Sequence, residues 1–110
     1  MPVSACTHYT NTFFLSFVVG YGENPPVRPH HASSSCPSAP AVCDWDTFEN
    51  KMPNAHVLKG ALVGGPDAPD DEYKDDREDY IESEVALDFN AGFQTAVAGL
   101  KMWECLNGYS

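Results

Sequence analysis

The densest chemistry in the chain lies between Tyr73 and Ala91, which reads Tyr-Lys-Asp-Asp-Arg-Glu-Asp-Tyr-Ile-Glu-Ser-Glu-Val-Ala-Leu-Asp-Phe-Asn-Ala. Eleven of the sixteen acidic residues fall between Asp67 and Asp88, and Tyr73, Tyr80, Ile81, Val85 and Phe89 interrupt them with large apolar groups. An acidic run is ordinarily solvated surface. Carboxylates held among aromatic rings suit a second use. A glycosidic bond breaks when one carboxylic acid protonates the leaving oxygen and another carboxylate serves water or the sugar carbon, and aromatic faces pack on the pyranose.

The spacing Tyr73-x-Asp75-x4-Tyr80-x3-Glu84-x-Ala86-x3-Asn90-Ala91 resembles, at every defined position, the second active-site signature of glycoside hydrolase family nine, the endoglucanases (cellulases) that cleave β-1,4-glucans. Upstream, Ser16 to His31 carries Gly20, Gly22 and the Pro25-Pro26 pair, which together exclude a helix and require a loop. In that loop Gly22, Asn24, Pro29 and His30 resemble the family's first signature. Its last position departs from the pattern. Ala32 stands where the family has arginine, so a bidentate clamp on sugar hydroxyls cannot form from that position. The phrase Arg28-Pro29-His30-His31-x-Ser33-Ser34-Ser35-Cys36, followed by Cys43-Asp44-Trp45, is closest in style to invertebrate members.

The resemblance implies roles. Glu84 is the general acid, and Asp75 and His30 hydrogen-bond sugar hydroxyls and orient the acid. An acid at Glu84 must hold its proton at the working pH, which partial burial and the nearby Asp75, Asp76 and Asp88 would promote. The family inverts the anomeric centre, so an aspartate base from an Asp-Ala-Gly-Asp type motif activates water about 6.5–9.5 Å from the acid. The 110 residues contain no such motif. They are therefore expected to carry the acid half of the pair and to be inactive alone. The alternative is a non-catalytic secreted glucan-binding remnant.

The fold implied is mainly α: the C-terminal portion of an (α/α)6 barrel, with long irregular loops. Residues 1–15 resemble nothing identifiable, 16–101 carry the resemblance, and 102–110 form a tail. A net charge of -10 argues against nucleic acid and anionic membranes, and no stretch approaches a membrane span. A neutral β-1,4-glucan is the expected partner, and a monomer the expected state. The resemblance implies a secreted protein; the apolar run Phe13 to Val19 lacks the basic n-region of a signal peptide, so no signal is evident in it.

Cys36 and Cys43 bracket a short proline-bearing loop that one bridge can staple, a paired spacing that recurs in animal-type members of the family. Whether Cys6 and Cys105 pair is open. No cofactor and no metal is expected: His30, His31, Cys36 and Cys43 lack zinc spacing, and the acidic loop at 66–74 lacks EF-hand order. Trp45 can stack on a sugar or anchor its loop, and the sequence does not choose.

Two further helices are expected. Asn54 can cap one through Ala55 to Val63, ended by Gly64-Gly65-Pro66. Asp79 and Glu82 can form a capping box for the last, with Ile81, Val85, Phe89, Phe93, Ala96, Val97 and Leu100 on one face and Glu84 in its first turn. Asn90 and Gly92 weaken that helix and point to a close or polar contact.

Overall fold

The computed structural model describes residues 16–70 and 72–108. Among them the helices are α1 (Ala32–Ser35), α2 (Trp45–Glu49) and α3 (Leu87–Leu106), and three isolated bridges do the work of a sheet: Val18 with Leu62, Val63 with Val85, and His30 with Glu84. The segment 1–15, with the Phe13 to Leu15 part of the apolar run, lies outside the described residues.

Val19, Val63 and Val85 form the buried core, with Phe17, Leu58, Ala61 and Tyr73 packed against it. The three valines arrive from three separated segments joined by main-chain bonds. Val19 N–H donates to the Ala61 carbonyl at 2.9 Å, Val63 N–H to Phe17 at 3.1 Å, and Gly64 N–H to Glu84 at 2.8 Å. At Gly64 the approach is so close that an added Cβ would collide with the carbonyl oxygen of Ile81. Gly22, at φ +79°, could take a side chain only by striking Ser16.

No helix forms over Ala55 to Val63. Asn54 does not cap; its Nδ2 donates to the Pro29 carbonyl (2.9 Å) and Ser34 Oγ (2.8 Å), and its Oδ1 accepts from Arg77 Nε at 2.6 Å. Gly60, at φ +92°, turns the chain, and Leu62 and Val63 are drawn into bridges. The last helix begins at Leu87 rather than Asp79. Asp79 Oδ1 does accept from Ile81 and Glu82 N–H, both at 2.9 Å, but only one turn results. The carbonyls of Glu82, Ser83 and Glu84 accept from Gly65, His30 and Gly64, so partners on two other segments replace the i−4 bonds a helix would need. Ile81 and Val85 consequently lie outside the helix, and Glu84 precedes it.

The expected stapled loop is present. Cys36 and Cys43 form a disulfide with Cα atoms 5.2 Å apart. Short helices flank it: α1, capped by His31 Nδ1, and α2, where Asp44 and Thr47 make a capping box. No cysteine is free among the described residues, and the open question of whether Cys6 and Cys105 pair falls on Cys6, outside the described residues.

Helix α3 runs beyond residue 101 to Leu106 and buries none of its side chains. Its Leu87, Val97, Leu100, Met102, Trp103 and Leu106 are all exposed. Its first turn has a polar anchor: Asn90 Nδ2 donates to the Gly60 carbonyl (2.8 Å) while Asn90 Oδ1 accepts from Leu62 N–H (3.1 Å). A Cβ added at Gly92 would meet no described atom within 4 Å beyond the helix's own backbone, so the close contact expected there is not made.

Candidate functional site at the Glu84–His30 pairing

The two signature segments meet through backbone. His30 N–H donates to the Ser83 carbonyl at 2.7 Å, and His30 and Glu84 are partners in a parallel bridge. Directly paired residues project from one face of the ribbon, so the imidazole and the carboxylate leave the backbone side by side. The register is pinned below by Ser83. Fully buried, its Oγ lies 3.2 Å from the Tyr73 hydroxyl and donates to the Lys74 carbonyl at 3.4 Å. Burial pushes the Tyr73 phenol up to about 12, which keeps it neutral and able to hydrogen-bond.

Glu84 is exposed, not partly buried as the resemblance suggested. The extended strand lifts it off the core, where Val85 turns inward instead. Nor do Asp75 and Asp76 stand free to act on it. Asp75 accepts from Val27 N–H at 2.8 Å and from Arg28 N–H at 3.0 Å, which fixes the loop just ahead of Pro29 and His30. Asp76 is paired with Lys74 (3.0 Å) and Lys51 (3.1 Å), and these bonds with the Glu78 N–H hold its carboxyl well below the usual carboxylate range.

His30 Nδ1 lies 2.7 Å from the Arg77 carbonyl oxygen. A carbonyl only accepts, so Nδ1 carries a proton, and the Nδ1–H tautomer has Nε2 as its acceptor. The ring meets Phe48 edge-on at 5.9 Å, and Phe48 meets Trp45 in the same manner at 5.7 Å. This aromatic row lines a cavity of about 490 Å³ with His31, Ala32 and Arg77, and the Cys36–Cys43 bridge closes one side. Trp45 is 74% exposed, so it does not anchor the loop by burial. The cavity takes in His30 and Trp45 but not Glu84 or Asp75; His30 is the residue shared between cavity and pairing.

Ala32 is the exposed first residue of α1 on the cavity rim. Arg28 does not replace the arginine expected there, since its guanidinium donates to the carbonyls of Asp75 (2.7 Å) and Lys51 (2.6 Å). The sequence reading missed Arg77. The residue is 2% exposed, with Nε on Asn54 Oδ1, Nη1 on the carbonyls of Thr47, Phe48 and Asn50, and Nη2 on that of Met52. Burial, with the Arg28 charge nearby, lowers its pKa. Its position between the signature residues Asp75 and Tyr80 was the only signal, and an arginine in an acidic run reads as surface. No group of acidic, histidine or cysteine residues suited to a metal occurs among the described residues.

Comparison with known proteins gives the same placement. The family model described as Glycosyl hydrolase family 9 matches residues 10–97. Endoglucanase B of Cellulomonas fimi is 49% identical over 86 residues, 77% of this chain and 8% of the relative; the Dictyostelium discoideum endoglucanase is 49% identical over 85 residues, 77% of this chain and 11% of the relative. The chain thus spans about a tenth of their length. Among solved structures, the endoglucanase of the termite Nasutitermes takasagoensis superposes with a TM-score of 0.72 at 66% identity, covering 78% of this chain and 20% of that one. The cellulase Cel9M of C. cellulolyticum, solved with cellobiose, gives 0.66 at 39% identity, over 80% of this chain and 19% of that one. Family 9 catalytic modules are (α/α)6 barrels, and a mainly helical chain with only isolated bridges fits part of one. The match extends over both segments that meet at Glu84 and His30, and the chain belongs to glycosyl hydrolase family 9.

Proposed function

We propose that these residues form the acid side of the cleft of a secreted, monomeric endo-β-1,4-glucanase, which hydrolyses internal bonds of cellulose with inversion and so serves polysaccharide degradation. The observation that carries this reading is the parallel pairing of His30 with Glu84, which sets an exposed carboxylate beside an imidazole whose free nitrogen is an acceptor. Glu84 protonates the glycosidic oxygen. His30 accepts a sugar hydroxyl through Nε2, and Trp45 offers its face to a pyranose. Asp75 acts one step back, through the backbone of the His30 loop. The aspartate base must come from residues other than these, because the 110 contain no Asp-Ala-Gly-Asp type motif.

Two assays test the reading. Residues 16–108, grafted in place of the matching segment of the termite endoglucanase, are expected to support hydrolysis of soluble cellulose. Glu84→Gln should lower that rate by about 10²–10⁴-fold. A graft insensitive to this change would sink the assignment. The 110-residue chain alone is expected to show negligible turnover, and robust hydrolysis by it would overturn the acid-half reading. Ala32 and the missing base motif favour a second reading, a glucan-binding remnant. Glucan affinity of the isolated chain, together with an inactive graft, would select it.

A further inference from the structure

We propose that Arg77 is a positioning residue that sets His30 and the aromatic row of Trp45 and Phe48 in register with one another. The guanidinium and the main-chain carbonyl of this one residue reach the two halves of the cavity separately. The fork holds Thr47, Phe48 and Asn50 carbonyls at the C-terminal end of α2. At the end of a helix of five residues these carbonyls lack the N–H four residues on that a longer helix would give them; the Thr47 carbonyl also accepts from Asn50 Nδ2 at 2.7 Å, and a helix that short does not persist by itself. Arg77 thereby decides where Phe48 and Trp45 stand. From the same residue, the carbonyl oxygen receives His30 Nδ1–H and fixes both the tautomer and the plane of the ring.

Asn54 closes the loop between the two. It takes Arg77 Nε–H on Oδ1 and donates its side-chain Nδ2–H to the Pro29 carbonyl, immediately before His30. The planar arrangement is needed here. Arginine addresses acceptors in several directions from one rigid group, whereas a lysine ammonium in its place offers three donors from a single point and cannot span Asn54, the α2 carbonyls and Met52 together. The significance of Arg77 for catalysis rests on the glucanase reading; its hold on His30 does not.

The test uses the 110-residue chain, labelled with ¹⁵N, and long-range proton–nitrogen spectra of the histidine rings recorded above their titration, with His30 assigned by His30→Gln. The native chain should show His30 as a single Nδ1–H tautomer. Arg77→Lys and Arg77→Met should lose that signature and give averaged ring nitrogens at His30, with His31 and His56 unchanged and the helical circular dichroism retained. Asn54→Ala removes the acceptor of Nε–H together with the donors to the Pro29 carbonyl and Ser34 Oγ, but leaves Nη1 and Nη2 on their carbonyls; it should give partial averaging, which keeps the test decisive if Arg77→Met does not fold. A merely structural arginine predicts a lower unfolding midpoint with the His30 tautomer intact, and that result in the folded variants overturns the proposal. Cellotriose added to the native sample reports separately on the glucan reading. If neither His30 nor Trp45 responds while the tautomer is native, that reading fails and the positioning role stands.

Discussion

At the scale of single residues, neighbouring carboxylates do different work because their partners differ. Asp75 is committed to two backbone N–H groups, Asp76 to two lysines, and Glu84 to neither. Asp76 yields a pH prediction. Its carboxyl is held below the ordinary value in the folded chain, so its contribution to stability is fully present above about pH 4 and is lost as pH falls through the folded value. Urea midpoints measured from pH 6 down to pH 2 should therefore drop at the acid end, and Asp76→Asn should flatten the drop; an equal slope in both proteins would refute the assignment. Ala32 gives a second expectation. In the termite graft, Ala32→Arg should lower KM roughly tenfold with little change in kcat, because a charged hydrogen bond to a sugar hydroxyl contributes about 1.5–3 kcal/mol to ground-state and transition-state binding alike. An unchanged KM would mean that the rim does not touch the glucan. Residue types and spacing singled out Glu84 and His30, which the structure pairs through backbone, and Cys36 with Cys43, which it bridges, but not Arg77. Its importance comes from carbonyls supplied by residues 47 to 52, which no side-chain pattern announces.

At the scale of elements, local signals were present and were outvoted. Asp79 caps a turn as its type suggests, yet the chain leaves it extended because Glu82, Ser83 and Glu84 find main-chain partners on two other segments. Periodicity could not separate these outcomes: Ile81 and Val85 fit the apolar stripe of α3 in sequence while Val85 is in fact a core residue of a bridge. Asn90 was legible as a polar contact inside a helix, and its partners Gly60 and Leu62 make it the hinge pin between α3 and the valine core. Asn90→Ala leaves the Leu62 N–H without its acceptor, and should lower stability by about 1–3 kcal/mol in urea unfolding. A loss below a few tenths of a kcal/mol would show that α3 is held by something else. The capping box at Asp44 and Thr47 follows sequence rules, but α2 is so short that its place depends on Arg77 rather than on its own propensity.

At the scale of the whole molecule, the described residues have a radius of gyration of 16.6 Å, against about 13 Å for a compact domain of this length. Three buried valines make a small core, and on α3 Phe89 and Phe93 are half-buried while Leu87, Val97, Leu100, Met102, Trp103 and Leu106 are exposed. The isolated chain should enhance the fluorescence of an apolar dye such as ANS, and Leu87→Lys with Leu100→Lys should remove most of the enhancement. Absence of binding by the unaltered chain would contradict an uncovered helix face. The mainly helical class was legible from the signatures, whereas the mix of bridges and loops around the site was not, because its contacts join residues far apart in sequence.

That distance has a consequence for how the site comes into being. Asp75 bonds to Val27 and Arg28 across 48 and 47 residues, so the loop entropy of almost half the chain is lost before the imidazole and the carboxylate can stand together. Little of the cleft can then form early from local structure, and contacts of this kind are made slowly. The acid's placement and the last cooperative stage of folding are one event: amide protection at His30 and Gly64 should appear together, and late, in a refolding time course.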